Sequence, residues 1–277
     1  MRFDLVLGQE PESRNNDNTK GDKMKICVCF KIVPDLDQVL ESDWKDISRG
    51  LDTSYVKKMI NCFDETALEM ALRLKEMAAD TGAECTAVTV GGGLASLMKG
   101  LYAVGYDRVV NIPLERREFC PETVAALLAD FIKSGNFDLV LFGKQAGMAD
   151  SGMVPPLSAE LLGLPFVEDT VAALLESGQL MLEHETSEGL EALKLKCPVA
   201  ASVGDAEYAY LRVATLREKM AASKRDIEEW PALKTEDTIP PDFSRESSVK
   251  ECVMIEGESG AAKAGVVYEK WIEGMIS

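Results

Sequence analysis

Short apolar runs rich in β-branched residues alternate with stretches of helical period, and this alternation constrains the fold more than any other feature of the chain. KICVCFKIV (25–33) is almost continuously apolar, as expected of a strand buried on both faces of a parallel sheet. DETALEMALRLKEMAADTG (64–82) reads as a helix. Leu68, Ala71, Leu72 and the stem of Lys75 fall on one face, and Glu69 can pair with Arg73 a turn later. Asp64 reads as its N-cap. Further strands are expected at ECTAVTV (84–90), RVVNIPL (108–114) and DLVLFG (138–143). Between them lie helices at 94–105, ending on a glycine, and 121–135, opened by proline and closed by glycine. Strand and helix at these lengths suit βαβ units, so the expectation is an α/β fold with a doubly wound, mostly parallel, Rossmann-like sheet.

The pattern changes after a loop running into a helix at 150–163. QLMLEHE and LEALKLK flank Thr186-Ser187-Glu188-Gly189 and read as an antiparallel hairpin, and PVAASVG (198–204) returns as an apolar strand. Residues 1–23 read as a polar, disordered leader, 24–230 as the α/β domain and 231–277 as a C-terminal arm over the domain or a partner. The leader lacks a secretory pattern, and Met24 reads as the structural beginning.

Composition excludes several classes of function. A net charge of −17 repels phosphate backbones, which argues against nucleic acid as a partner. No apolar run approaches the roughly 20 residues of a membrane span. Seven scattered cysteines form neither a disulfide framework nor a metal site and read as reduced, packed thiols of a cytoplasmic protein. A single histidine, His184, leaves little room for histidine-dependent catalysis.

In an open parallel sheet, ligands bind beyond the carboxyl ends of the strands where the connections diverge. Cys29, Phe30 and Lys31 should reach that crevice, as should Thr89, Gly91 and Gly92 and the loop carrying Gly143, Lys144, Gln145 and Ala146. Asn61 is free to reach it too. The Gly91–Gly93 run either lets amides approach a phosphate or simply turns the chain. Asp150 could bond a ribose while Ser151 and the helix-start amides of Gly152, Met153 and Val154 hold phosphate; the alternative is that Asp150 or Ser151 caps the helix. The basic residues Arg212, Arg217, Lys219, Lys224 and Arg225 form a solvated face or touch an anionic cofactor or acidic partner. No nucleophile–base pair is present, which favours holding a cofactor over side-chain catalysis.

These segments resemble, in order, those of electron-transfer flavoprotein β subunits. MKICVCFKIVPD is similar to that family's opening, NCFDETALEMALRLKE to its "NPxDxxALExALxLKE", GLYAVGYDRVV to its "LAxGADxAxxV" and LVLFGKQA to its "GxQA". The resemblance runs from Met24 to about Trp230. It implies a heterodimer with an α subunit, and FAD or alternatively AMP in the β-subunit site. MADSGMVPP (148–156) and LRVATLREKM (211–220) are nearer the electron-bifurcating members, which favours FAD. Gly147, Met148, Met153 and Pro155 depart from the family pattern. The resemblance further implies NADH or an acyl-CoA dehydrogenase-type flavoprotein as donor, and ferredoxin or flavodoxin as a low-potential acceptor. It places Leu216 in a dehydrogenase-docking loop, and Arg212 is the candidate for positive charge near the flavin. A nucleotide-binding interaction subunit without a redox role is the alternative.

Overall fold

The computed structural model describes residues 23–45, 51–114, 120–147, 151–176, 178–233 and 252–276. The chain divides into two compact units, one of residues 1–41 with 52–241 and one of residues 42–51 with 242–277.

In the larger unit β1 (Met24–Cys29) leads to a small antiparallel pair, β2 (Ile32–Pro34) with β3 (Lys58–Ile60), and then to α1 (Cys62–Met77). Next come β4 (Ala83–Val90), α2 (Ala95–Val104), β5 (Arg108–Ile112), α3 (Pro121–Gly135), β6 (Leu139–Gly143) and α4 (Val154–Leu162). The unit is completed by β7 (Phe166–Glu176), β8 (Gln179–Thr186), β9 (Gly189–Leu195), β10 (Val199–Val203), α5 (Leu216–Ala222) and β11 (Glu228–Glu229).

One nine-stranded sheet runs in the order β11-β5-β4-β1-β6-β10-β7-β8-β9. Every pairing from β11 to β7 is parallel, whereas β7–β8 and β8–β9 are antiparallel. Thr186 pairs with Gly189, so Ser187 and Glu188 form the expected hairpin loop. The helices cover both faces, which explains why the central strands carry apolar residues on each side. On one face α1 and α2 bury Leu68, Leu72 and Leu101 against Ile26 and Val28. On the other, α3 and α4 bury Leu127, Phe131 and Ala159 against Cys27, Val88 and Val110.

Three local expectations are corrected. The first sheet strand ends at Cys29, because the chain turns at Phe30-Lys31 and Ile32–Pro34 pairs with Lys58–Ile60 instead. Helix α1 stops at Met77, and Ala78 to Gly82 form a turn in which Gly82 N–H donates to Ala78 C=O at 2.6 Å. Asn61 occupies the N-cap position, and Asp64 lies within the first turn with its side chain buried. Strand β7 had no counterpart in the sequence reading. The 1–22 part of the expected leader and residues 234–251 of the expected arm lie outside the described residues.

In the smaller unit α6 (Gly260–Val267) is capped by Ser259, whose Oγ accepts from Ala262 N–H at 3.2 Å. A π-helical turn, Tyr268–Ile272, continues into α7 (Glu273–Ile276). Among the described residues no helix is long and apolar enough to cross a membrane.

Candidate functional site

After β1 the chain builds the sheet toward β4 and β5, and after α3 it returns to the other side of β1 to form β6. The carboxyl ends of β1 and β6 therefore diverge, and a crevice opens where the connections leave to opposite faces. A cavity of about 520 Å³ lies there, within the roughly 300–1,000 Å³ usual for small-molecule sites.

Its lining joins segments far apart in sequence. Cys29, Phe30 and Lys31 come from the end of β1, Gly143, Lys144, Gln145 and Ala146 from the end of β6, and Ser151, Gly152, Met153 and Val154 from the start of α4. The structure brings all of these anticipated residues to one place. The sequence reading missed a further wall of Val90, Cys120, Pro121, Val124, Leu128, Phe142 and Pro155, and it missed Asp64 as a lining residue. The i, i+4 spacing of Val124 and Leu128 on α3 was the available signal, but helical period does not say which sheet end a helix overhangs.

Asp64 occupies the fork between the strands. Its Oδ2 accepts the Lys31 N–H at 2.7 Å and its Oδ1 accepts the Gly143 N–H at 3.1 Å. A Cβ at position 143 would lie 2.1 Å from Asp64 Oδ1 and 2.8 Å from Asp64 N, so only glycine lets the helix start and the strand end meet. Burial pushes the Asp64 carboxyl up to about 7, against the opposing pull of the Lys31 N–H, the Asn61 side chain, the Gly143 N–H and the Lys31 charge. Burial likewise raises the Cys29 thiol, helped by its hydrogen bond with Cys27 and by the charges of Cys27 and Asp64.

Asn61 is not in the lining but holds the loop that is: its Nδ2 donates to Gln145 C=O at 2.8 Å, and its Oδ1 accepts from Gly147 N–H at 3.3 Å. Lys144 reaches Asp169 at 3.4 Å and Asp205 at 3.7 Å, with its ammonium 5.2 Å from the Phe63 ring centroid.

Other anticipated residues lie elsewhere. Val90 faces the cavity, so strand alternation turns the neighbouring Thr89 to the opposite face, where its hydroxyl is buried without a hydrogen-bond partner. Gly91 and Gly92 take φ of 83° and 67° and turn the chain after β4, and Gly91 N–H donates to Ile112 C=O at 2.8 Å. Asp150 and Met148 lie outside the described residues.

Arg212 is not in the cavity lining. Its Nη2 and Nε donate to the buried Glu69 carboxylate at 2.8 and 3.0 Å, its backbone N–H donates there at 3.1 Å, and Nη1 pairs with Glu76. Burial works against charge on Glu69, but the Arg212 bonds outweigh it and hold that carboxyl below its ordinary range. Arg73 adds the foreseen one-turn pair with Glu69 at 3.2 Å. Leu216 opens α5 and is 75% exposed.

The residues present fit an adenine nucleotide. Val90, Val124, Leu128 and Phe142 give an apolar wall for a flat ring, and at the start of the nine-residue α4 only Val154 brings an N–H beside it, because Pro155 and Pro156 carry none. Among the described residues, no group of three or more His, Cys, Asp or Glu side chains is arranged to hold a metal ion.

The fold and cavity together define an open, doubly wound α/β protein with a cavity at its topological switch point. Residues 50–235 match the family described as "Electron transfer flavoprotein domain". The chain belongs to the electron transfer flavoprotein family, and β subunits are among its relatives. It is 33% identical over 210 residues to the electron transfer flavoprotein subunit beta of Homo sapiens, spanning 74% of this chain and 80% of that protein. It is 31% identical over 248 residues to the mitochondrial subunit beta of Oryza sativa subsp. indica, spanning 88% and 93%. It is also 26% identical over 260 residues to "Putative electron transfer flavoprotein subunit YgcR" of Escherichia coli (strain K12), spanning 90% and 98%.

Proposed function

We propose that the chain is the β subunit of a heterodimeric electron transfer flavoprotein and holds FAD in the cavity between the ends of β1 and β6. The observation that carries this reading is the cavity itself, about 520 Å³ at the switch point of a mostly parallel sheet. Bound FAD supplies one- and two-electron transfer chemistry. The apolar wall grips a flat ring and excludes water. Asn61 fixes the Gln145–Gly147 loop against it.

AMP is the alternative occupant. The Met148–Pro156 sequence and the LRVATLREKM segment favour FAD, and with it electron bifurcation from NADH or a dehydrogenase flavin toward a ferredoxin or flavodoxin. An acyl-CoA dehydrogenase-type partner would meet the exposed Leu216 region. Co-purification with the α subunit, followed by release and chromatographic quantification of cofactors, tests the reading. FAD in both subunits supports it, FAD with AMP assigns AMP to this cavity, and a single FAD with no second nucleotide refutes it.

A further inference from the structure

We infer that Asp64 selects what enters the cavity by charge: an anionic ligand group settles beside it only when the carboxyl takes up a proton. The inference rests on reading the cavity as a nucleotide site. At a switch point a bound ligand lies just beyond the carboxyl ends of the strands, where amides that the sheet does not use can meet its polar groups. Here the Lys31 and Gly143 amides already donate to Asp64, so the chain's own carboxylate fills that cradle.

The side chain is buried, and the groups facing it offer little compensation for a second negative charge. Lys31 lies on the β1 side and favours the ionised carboxyl. The Cys29 thiol is kept protonated by burial. Lys144 on the β6 side already shares its ammonium between Asp169 and Asp205. A phosphate brought near the ionised Asp64 meets a like charge in a poorly solvated space, whereas a neutral carboxyl adds no repulsion and can donate a hydrogen bond. The carboxyl titrates at about 7, so ligand charge and proton uptake are linked near neutrality.

The test uses the αβ heterodimer freed of nucleotide from this cavity, with ADP-ribose and adenosine as probes. ADP-ribose carries a diphosphate diester of fixed charge, and adenosine is neutral. If only the protonated form admits the anion, the apparent Kd for ADP-ribose rises about tenfold from about pH 6 to about pH 8, while that for adenosine stays level. Asp64→Asn flattens the ADP-ribose profile. Because that substitution also removes an acceptor and can disturb folding, calorimetry on the unaltered heterodimer near pH 7 gives an independent readout. In buffers of different ionisation enthalpy, ADP-ribose takes up about half a proton on binding and adenosine takes up none. Equal pH profiles for the two probes, or no proton uptake with ADP-ribose, overturn the inference while leaving the nucleotide site intact. If neither probe binds, the reading of the cavity fails and the inference falls with it.

Discussion

Substituting alanine for Gly143 tests the fork at the centre of the site. The added Cβ would stand 2.1 Å from Asp64 Oδ1, 2.8 Å from Asp64 N and 2.9 Å from the carbonyl carbon of Phe63. Two of those atoms are helix backbone, so rotating a side chain cannot relieve the clash. Overpacking of this kind costs about 1–3 kcal/mol. The displaced carboxylate also loses the Gly143 N–H now at 3.1 Å, and a hydrogen bond to a charged group contributes about 1.5–3 kcal/mol. The expected loss is therefore roughly 2.5–6 kcal/mol, a large share of the ~5–15 kcal/mol of a whole domain. Gly147→Ala is the internal control, since its Cβ would meet nothing within 4 Å and should stay within about 0.5 kcal/mol. Urea unfolding of the two variants beside the unaltered chain gives the comparison. A Gly143→Ala loss within 1 kcal/mol of the control, on the order of ordinary surface scatter, would refute the reasoning.

Further outcomes follow from the same geometry. The raised Asp64 carboxyl, about 7 when folded against about 3.9 in an unfolded chain, stabilises the fold fully below about pH 4 and loses that contribution as pH rises to about 7. The gap corresponds to at most about 4 kcal/mol. Urea midpoints of the unaltered protein should therefore fall relative to those of Asp64→Asn as pH rises across that range, and parallel curves would contradict it. Arg212→Ala leaves the Glu69 carboxylate buried without its principal partner and should cost about 3–5 kcal/mol. Adding Glu69→Gln should recover much of that loss, and additive losses would show that the pair is not coupled. Asn61→Ala frees the Gln145–Gly147 loop and should weaken AMP or FAD binding about tenfold, read by equilibrium titration. Unchanged affinity would show that the loop holds its shape without Asn61.

Much of the sheet was legible because its signals are local. The apolar runs at 84–90 and 138–143 and the Thr186–Gly189 turn announce themselves through period and turn chemistry. Pro121 and Gly135 mark the two ends of α3. Strand β7 was not legible, because Glu168, Asp169 and Thr170 interrupt its apolar pattern and half of its residues are only partly buried. Along the site, the loops after β1 and β6 could be read from the switch-point rule. Asp64 could not, because a carboxylate in a first helical turn looks like a cap until the Gly143 amide, distant in sequence, is seen beside it. Arg212 is a parallel case: a basic cluster in an acidic chain suggests a cofactor or partner, and only the fold shows Glu69 and Glu76 on α1 beside this member of it. Thr89 and Val90 are neighbours, and only the strand's orientation decides which of them faces the cavity.

The most direct test of where the nucleotide sits is to fill the cavity from one wall. Val124 on α3 lines it, and Val124→Trp adds a large ring to that apolar wall. Cofactors released from the purified αβ heterodimer are then counted. With the nucleotide in this cavity, the variant retains the α subunit and its flavin but loses the nucleotide of the β subunit. A variant that keeps its full nucleotide complement while remaining folded would contradict the assignment.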